Sequence, residues 1–125
     1  MKKTIITSDK LPVYGPYSAA VEAGGFIFMS GQIALDPKTG AVITDIKAAT
    51  RQVLTNIQTI LEAAGLTLTN IVKTTIYLKN INDFAAVNEV YTGFFPEEPP
   101  ARSTIEVSAL PKGVPIEIEA IAARI

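Results

Sequence analysis

The stretch PPARSTIEVSALPKGVPIEIEAIA, residues 99–122, contains two alternating runs joined by a turn segment with Pro111 and Gly113. In the first run, residues of one parity are polar and those of the other are mostly apolar: Arg102, Thr104 and Glu106 against Ser103, Ile105 and Val107. The second run alternates Ile116, Ile118, Ala120 and Ala122 against Glu117, Glu119 and Ile121. Because successive side chains of a strand point to opposite faces, the stretch predicts two strands.

Arg102 and Glu117 stand near the starts of these two runs. If the two strands pair, a fixed guanidinium faces a carboxylate across a cleft. The simpler alternative is two half-buried strands whose charges are solvated, and the pattern alone favours that alternative.

Length and composition limit the functions that this chain can have. A chain of 125 residues, with 11 Lys plus Arg and 12 Asp plus Glu, predicts a single domain over residues 1–125 and a net charge of -1. This charge disfavours nucleic acid and anionic membranes as partners. Cysteine and histidine are both absent, which excludes disulfides and thiolate chemistry and removes the commonest zinc ligand. We therefore expect no metal and no cofactor, and any catalysis must use carboxylates, hydroxyls, Lys, Arg, Tyr or backbone groups.

The amino-terminal segment MKKTIITSDKLP lacks the apolar core of a signal peptide, and no window approaches the roughly 20 apolar residues of a membrane span. We expect a cytoplasmic protein. Hydrophobic residues make up 48% and charged residues 18% of the chain, against an average charged fraction of about 25%. This apolar surplus predicts a buried subunit interface.

The remaining patterns predict four strands or hairpin arms and two helices. Gly24-Gly25 predicts a hairpin turn between the segments 18–23 and 26–31, and the segments 4–7 and 71–78 are strand-like. A long helix is expected from a cap at Thr44 to Gly65, and a shorter one from a cap at Asn82 or Asp83 to Pro96, with Phe84, Val87, Tyr91 and Phe94 on one face. This order predicts a sheet with both helices on one face and the other face left for a second subunit.

Four short stretches stand out as candidate site segments: Gly15-Pro16-Tyr17, Ser30-Gly31-Gln32, Asn88, and the segment from Arg102 to Glu117. Singly, each has a structural explanation as a packed aromatic, a strand end, a helix-surface residue or a surface ion pair. No phosphate-binding loop, dinucleotide fingerprint or nucleophile elbow is present.

In this order and spacing, these stretches resemble the RidA (YjgF/YER057c/UK114) family over essentially the whole chain. PARSTIEVSALPKGVPIEIEAIA looks like the family signature, and GPYS, FMSGQI, DPKTG and NDFAAVNEVYTGFF fall where the family has them. The resemblance implies an α+β, chorismate-mutase-like fold, a mixed six-stranded sheet with two helices packed on one face. It also implies a homotrimer with a central barrel and one active site in each cleft between subunits.

The activity implied by the resemblance is hydrolytic deamination of reactive 2-imino acids, which pyridoxal-phosphate enzymes release, to 2-oxo acids and ammonia. Arg102 matches the arginine that binds the substrate carboxylate, and Glu117 matches the carboxylate that positions water and carries a proton. The main-chain N–H of Thr104 would add a contact, Tyr17 would form an aromatic wall, and Ser30, Gly31 and Asn88 would line the pocket.

Two departures from the family pattern stand out. Thr104 replaces a common cysteine, so only a role for its main-chain N–H carries over, and the connector FFPEEPPARS is shorter than in many relatives. Two alternative functions stay open: a non-catalytic, metabolite-binding regulatory trimer, and a ribonuclease or translation inhibitor, against which the charge balance argues.

Overall fold

The computed structural model describes residues 2–125 and contains, within them, one sheet and two α-helices. The helices are α1 (Ile46–Ala63) and α2 (Phe84–Phe94). The strands are β1 (Thr4–Ile6), β2 (Ala20–Ala23), β3 (Phe26–Ile33), β4 (Ile71–Leu78), β5 (Ala101–Glu106) and β6 (Ile116–Ala123). The predicted order of elements is thereby confirmed.

The six strands lie in the order β1-β2-β3-β6-β4-β5, and only the β4–β5 pair is parallel. The sheet is therefore mixed, as predicted. The two strands of residues 99–122 do not pair with each other, because β4 lies between β5 and β6. A parallel connection needs a helical crossover, and α2 provides it by placing β5 on the outer edge of β4. The turn at 111–113 then returns the chain to the other side of β4.

Both α1 ends are capped. The Ala48 N–H donates to the Asp45 side chain at 2.9 Å, so Asp45 rather than the predicted Thr44 is the N-cap. At the other end Gly65 has φ of 74°, and the N–H groups of Gly65 and Leu66 donate to the carbonyls of Glu62 and Leu61. This is a Schellman ending, which requires a residue that tolerates positive φ.

Asp83, one of the two predicted caps, is the N-cap of α2. A short 3₁₀ turn, Ile81–Asp83, precedes it, and the Asn82 N–H donates to the Asn80 side chain at 2.9 Å. Asp83 stands at the N-cap of α2 but its side chain makes no capping hydrogen bond. Of the predicted apolar face Val87 and Tyr91 are buried, while Phe84 is 40% exposed. The aromatic ring of Phe84 is thus available at the surface.

The core lies between one face of the sheet and the two helices. Its largest fully buried side chains include Ile57 and Leu61 of α1 and Ile27, Ile76 and Ile118 of the strands. We call this face of the sheet the helix face and the opposite one the open face.

The open face carries an apolar row that the chain itself leaves uncovered. Strand register aligns Ile5, Val21, Phe28 and Ile121 across four neighbouring strands. Ile5 and Phe28 are each 48% exposed. Exposed apolar surface of this kind marks an interaction site.

None of the helices within residues 2–125 combines the length and apolar character needed to cross a bilayer.

Candidate functional site

A bulge in β3 places Ser30 and Gly31 beside Glu117. Met29 pairs with Ala120 and Gln32 with Ile118, so Ser30 and Gly31 together lie opposite Glu119 alone. The Ser30 hydroxyl donates to the Ser18 carbonyl at 2.6 Å, which anchors the bulge to the preceding segment. A methyl group added at Gly31 would overlap the Glu117 carboxylate, with Cδ only 2.8 Å away. Because Gly31 has no side chain, the Glu117 carboxylate can occupy the space next to it.

Glu117 is half-buried on the open face of β6. Burial raises the pKa of Glu117 above its ordinary value, and the negative charge of Glu119 raises it further. Glu119 itself accepts a hydrogen bond from the Tyr77 hydroxyl at 2.9 Å. Glu117 therefore holds its proton to a higher pH than a solvated glutamate does, which suits a group that must both accept and donate a proton.

Tyr17, in the segment before β2, lines the same cleft as this carboxylate. Its ring packs against Gly15, where an added Cβ would meet Cε2 at 3.1 Å, and its hydroxyl accepts from the Tyr14 N–H at 3.3 Å. The Tyr14 ring in turn lies 4.5 Å from the Lys112 ammonium group. The ring of Tyr17 is half exposed yet held in place.

These residues line a cleft of about 410 Å³, which we call the Glu117 cleft. It joins Tyr17, Ser30, Gly31, Lys112 and Glu117, and so brings together four of the seven predicted site residues. Its walls supply one carboxylate, one ammonium group and two aromatic rings, those of Tyr14 and Tyr17.

Arg102 lies elsewhere, on the edge strand β5. Its guanidinium carbon is 4.9 Å from the centre of the Tyr91 ring and 5.4 Å from that of Phe84, both on α2. Arg102 and Asn88 line a second cleft of about 530 Å³ together with Tyr91, Phe95 and the prolines of the connector before β5. We call this the Arg102 cleft. A planar cation with five donors is suited to binding a carboxylate there.

Thr104 follows two residues after Arg102 and so shares its face of β5. Its Oγ1 is buried and has no hydrogen-bond partner anywhere in residues 2–125. A buried hydroxyl without a hydrogen-bond partner is destabilising, and within a single chain the Thr104 hydroxyl has none among the described residues.

The chain does not bring Arg102 and Glu117 together. Arg102 pairs with Thr74, which is fully buried on the helix face, whereas Glu117 pairs with Tyr77 on the open face. Thr74 and Tyr77 differ in parity along β4, so the two charges project from opposite faces of the sheet. The condition under which the two charges would face each other, pairing of their strands, is therefore not met within one chain.

Sequence reasoning missed four residues that line these clefts or contact Arg102. Tyr91 was assigned only to a packed face and Phe84 to the same face, although both rings lie against Arg102. Their seven-residue spacing around Asn88 is the signal that places all three on one side of α2. Lys112 and Tyr14 gave no sequence signal beyond being a cation and an aromatic in turn segments.

No group of three or more Asp and Glu side chains in the described part of the chain is arranged to hold a metal ion.

Comparison with known proteins gives matches to a family model and to related sequences. A family model described as Endoribonuclease L-PSP matches residues 7–124. The RutC family protein of Pyrococcus horikoshii is 57% identical over 123 residues, covering 98% of both chains. The 2-iminobutanoate/2-iminopropanoate deaminases of Salmonella typhimurium and Escherichia coli are 53% and 52% identical over 127 residues, covering 99% of each chain.

Solved structures agree with these sequence matches. The YjgF gene product of E. coli has a TM-score of 0.93 at 49% identity and covers 98% of this chain and 99% of its own. E. coli TdcF with bound serine has a TM-score of 0.93 at 42% identity with the same coverage. The similarity thus spans every element described above.

Proposed function

Because this chain belongs to the endoribonuclease L-PSP family, which includes the RidA proteins, we propose that it hydrolyses reactive 2-imino acids to 2-oxo acids and ammonia. The observation that carries this proposal is the 53% identity, over 99% of both chains, with a 2-iminobutanoate/2-iminopropanoate deaminase. The geometry supports it with a free guanidinium and a half-buried carboxylate.

In the proposed reaction Arg102 binds the substrate carboxylate through two parallel N–H donors, and the Thr104 main-chain N–H adds a third contact. Glu117 holds a water molecule against the imine carbon and takes a proton from it as the C–O bond forms. The same carboxyl group protonates the nitrogen, which gives a carbinolamine with one hydroxyl and one amino group. Glu117 then carries the hydroxyl proton to the nitrogen, and as the C=O bond forms the C–N bond breaks, so that ammonia leaves and a 2-oxo acid remains. Because the carbon of an imine is already electrophilic, positioning and a proton route supply much of the acceleration.

The other predicted residues shape the pocket. Tyr17 provides an aromatic wall beside Glu117, and Ser30 and Gly31 form the bulged floor. Asn88 lines the Arg102 cleft. In this proposal the substrate spans the two clefts, with its carboxylate at one and its imine carbon at the other.

We infer that the active protein is a homotrimer whose open faces form a central barrel, so that the Arg102 cleft of one subunit meets the Glu117 cleft of its neighbour. The exposed apolar row on the open face supports this assembly, because it requires a cover that the chain does not provide. The placement of Arg102 and Glu117 on opposite faces also supports it, because a second subunit is the simplest way to unite them.

The test is to generate 2-iminobutanoate with a threonine dehydratase and to follow its loss with and without this protein. We expect faster loss, and Arg102→Ala should reduce kcat/KM by at least about 100-fold, since a charged hydrogen-bonded contact is removed. Arg51→Ala is the matched control, because Arg51 is exposed on α1 outside both clefts. An unchanged decay rate, combined with binding of 2-oxobutanoate, would instead favour a metabolite-binding protein.

The family description raises ribonuclease activity as the second candidate. With a net charge of -1 and no histidine, we expect no RNA retention at physiological salt. A filter-binding assay across a salt series measures this directly.

A further inference from the structure

Arg102 is held by aromatic rings and not by a carboxylate. The ion pairs within residues 2–125 are Lys47 with Glu89 and Arg124 with Glu22, so neither involves Arg102. Arg124 shows the contrasting arrangement, since its Nε and Nη2 donate to both Glu22 oxygens at 2.7 and 3.0 Å. The donors of Arg124 are already used by an internal partner, whereas the fork of Arg102 remains open to a ligand.

The ring beneath Arg102 is itself fixed. The Tyr91 hydroxyl lies 2.7 Å from Thr74 Oγ1 in a fully buried hydrogen bond, and Thr74 is the residue that pairs with Arg102 across β4 and β5. The Phe95 ring packs against Tyr91 with centres 4.7 Å apart. Burial raises the pKa of Tyr91, so the phenol stays neutral and the contact is that of a cation over a neutral ring.

We propose that Tyr91, through the face of its ring and assisted by Phe84, is the positioning residue for Arg102. The rings fix the plane of the guanidinium through its face and leave the N–H donors on its edge free for a substrate carboxylate. A carboxylate partner would also fix the side chain, but it would occupy those donors. This inference rests on the proposed role of Arg102 in binding substrate.

The test compares Tyr91→Leu, which removes the ring, with Tyr91→Phe, which keeps the ring and removes only the hydroxyl. We expect Tyr91→Leu to raise KM by about three- to tenfold with kcat within about twofold, since the lost contact acts equally on bound substrate and transition state. Tyr91→Phe should leave KM within about twofold of the parent while lowering Tm, because the Thr74 hydroxyl loses its partner. A purely structural role would lower Tm and the active fraction and leave KM unchanged.

Binding of 2-oxobutanoate by calorimetry gives a readout that does not depend on turnover. Its Kd should rise in Tyr91→Leu and stay near the parent value in Tyr91→Phe. If the parent fails to accelerate imine loss, the proposed function fails, while the Kd comparison still decides the role of Tyr91. If Tyr91→Phe weakens binding as much as Tyr91→Leu, the hydroxyl and not the ring face is responsible, and the proposal is overturned.

Phe84→Leu covers the case in which Tyr91→Leu does not fold, because Phe84 is 40% exposed and its removal does not open the core. We expect a Kd increase of about two- to threefold from losing this second ring. An unchanged Kd in a folded Phe84→Leu protein, where Tyr91→Leu is unfolded, would also overturn the proposal.

Discussion

Glu117 and Glu119 share one face of β6, but they differ in burial and therefore in the roles that they can take. Glu117 is half-buried with a raised pKa, and Glu119 is exposed and accepts from Tyr77. Burial disfavours the ionised form of Glu117 and so raises its pKa, and the negative charge of Glu119 raises that pKa further. Burial and this neighbouring charge together set the pH at which Glu117 becomes ionised.

In the proposed reaction Glu117 must be ionised to take a proton from water. We therefore expect activity to fall as the pH is lowered, with a midpoint above the ordinary glutamate pKa of 4.5. We call this part of the pH profile the acid limb. Glu119→Gln removes the neighbouring charge and should move this limb to lower pH. The shift should be only partial, because burial is the larger cause of the raised pKa. The measurement is kcat/KM against pH for both proteins, after subtraction of uncatalysed imine hydrolysis.

Glu117→Gln provides the control at the same site, since it keeps the size and removes the titrating group. Its activity should fall about 100-fold or more, with no acid limb left in the remainder. A limb that stays in place in Glu119→Gln would show that another group titrates.

At the scale of the element, the β3 bulge predicts a sharp steric effect at Gly31. Its φ is not positive, so alanine is allowed by the backbone, and the cost comes only from overlap with the Glu117 carboxylate. Gly31→Ala should displace that carboxylate and lower kcat by at least about tenfold, since small misplacements of catalytic groups are costly. Gly93→Ala in α2 is the control, because an added methyl there meets no atom within 4 Å. Equal activity of the two variants would remove the bulge from the site.

Local patterns predicted the elements well because their causes are local. Gly24 and Gly25 both have positive φ, as the hairpin turn requires, and the alternation of β6 correctly separated its buried from its exposed residues. Which strands lie next to each other in the sheet depends on contacts between distant parts of the chain. Nothing in residues 99–122 indicates that β4 separates β5 from β6, because that order depends on the α2 crossover.

The candidate site was predictable only in part for the same reason. Parity gives which residues share a face of one strand, but it does not relate the faces of two strands whose register is unknown. Arg102 and Glu117 were therefore identified individually, while their separation onto opposite faces became visible only through their partners on β4. The bulge at Ser30-Gly31 depends likewise on the count of residues in a neighbouring strand.

At the scale of the whole molecule, each chain carries two separate clefts and an uncovered apolar face. Phe28 is 48% exposed at the centre of the apolar row. If this row is the subunit interface, a charge placed there has to be buried without a partner, which is strongly unfavourable. Interface formation and site formation are then the same event, because the two clefts meet only when subunits associate.

Mixing two inactive variants tests this directly. We expect Arg102→Ala and Glu117→Gln to be inactive separately, and to recover activity when co-expressed or unfolded and refolded together. If each site takes Arg102 from one subunit and Glu117 from the next, random mixing leaves about one site in four with both native residues, so about a quarter of the parent activity returns. The refolded single variants serve as controls for recovery. A site contained in one chain always retains one of the two substitutions, so a mixture that stays inactive, in trimers shown by mass spectrometry to contain both chains, would contradict the shared site.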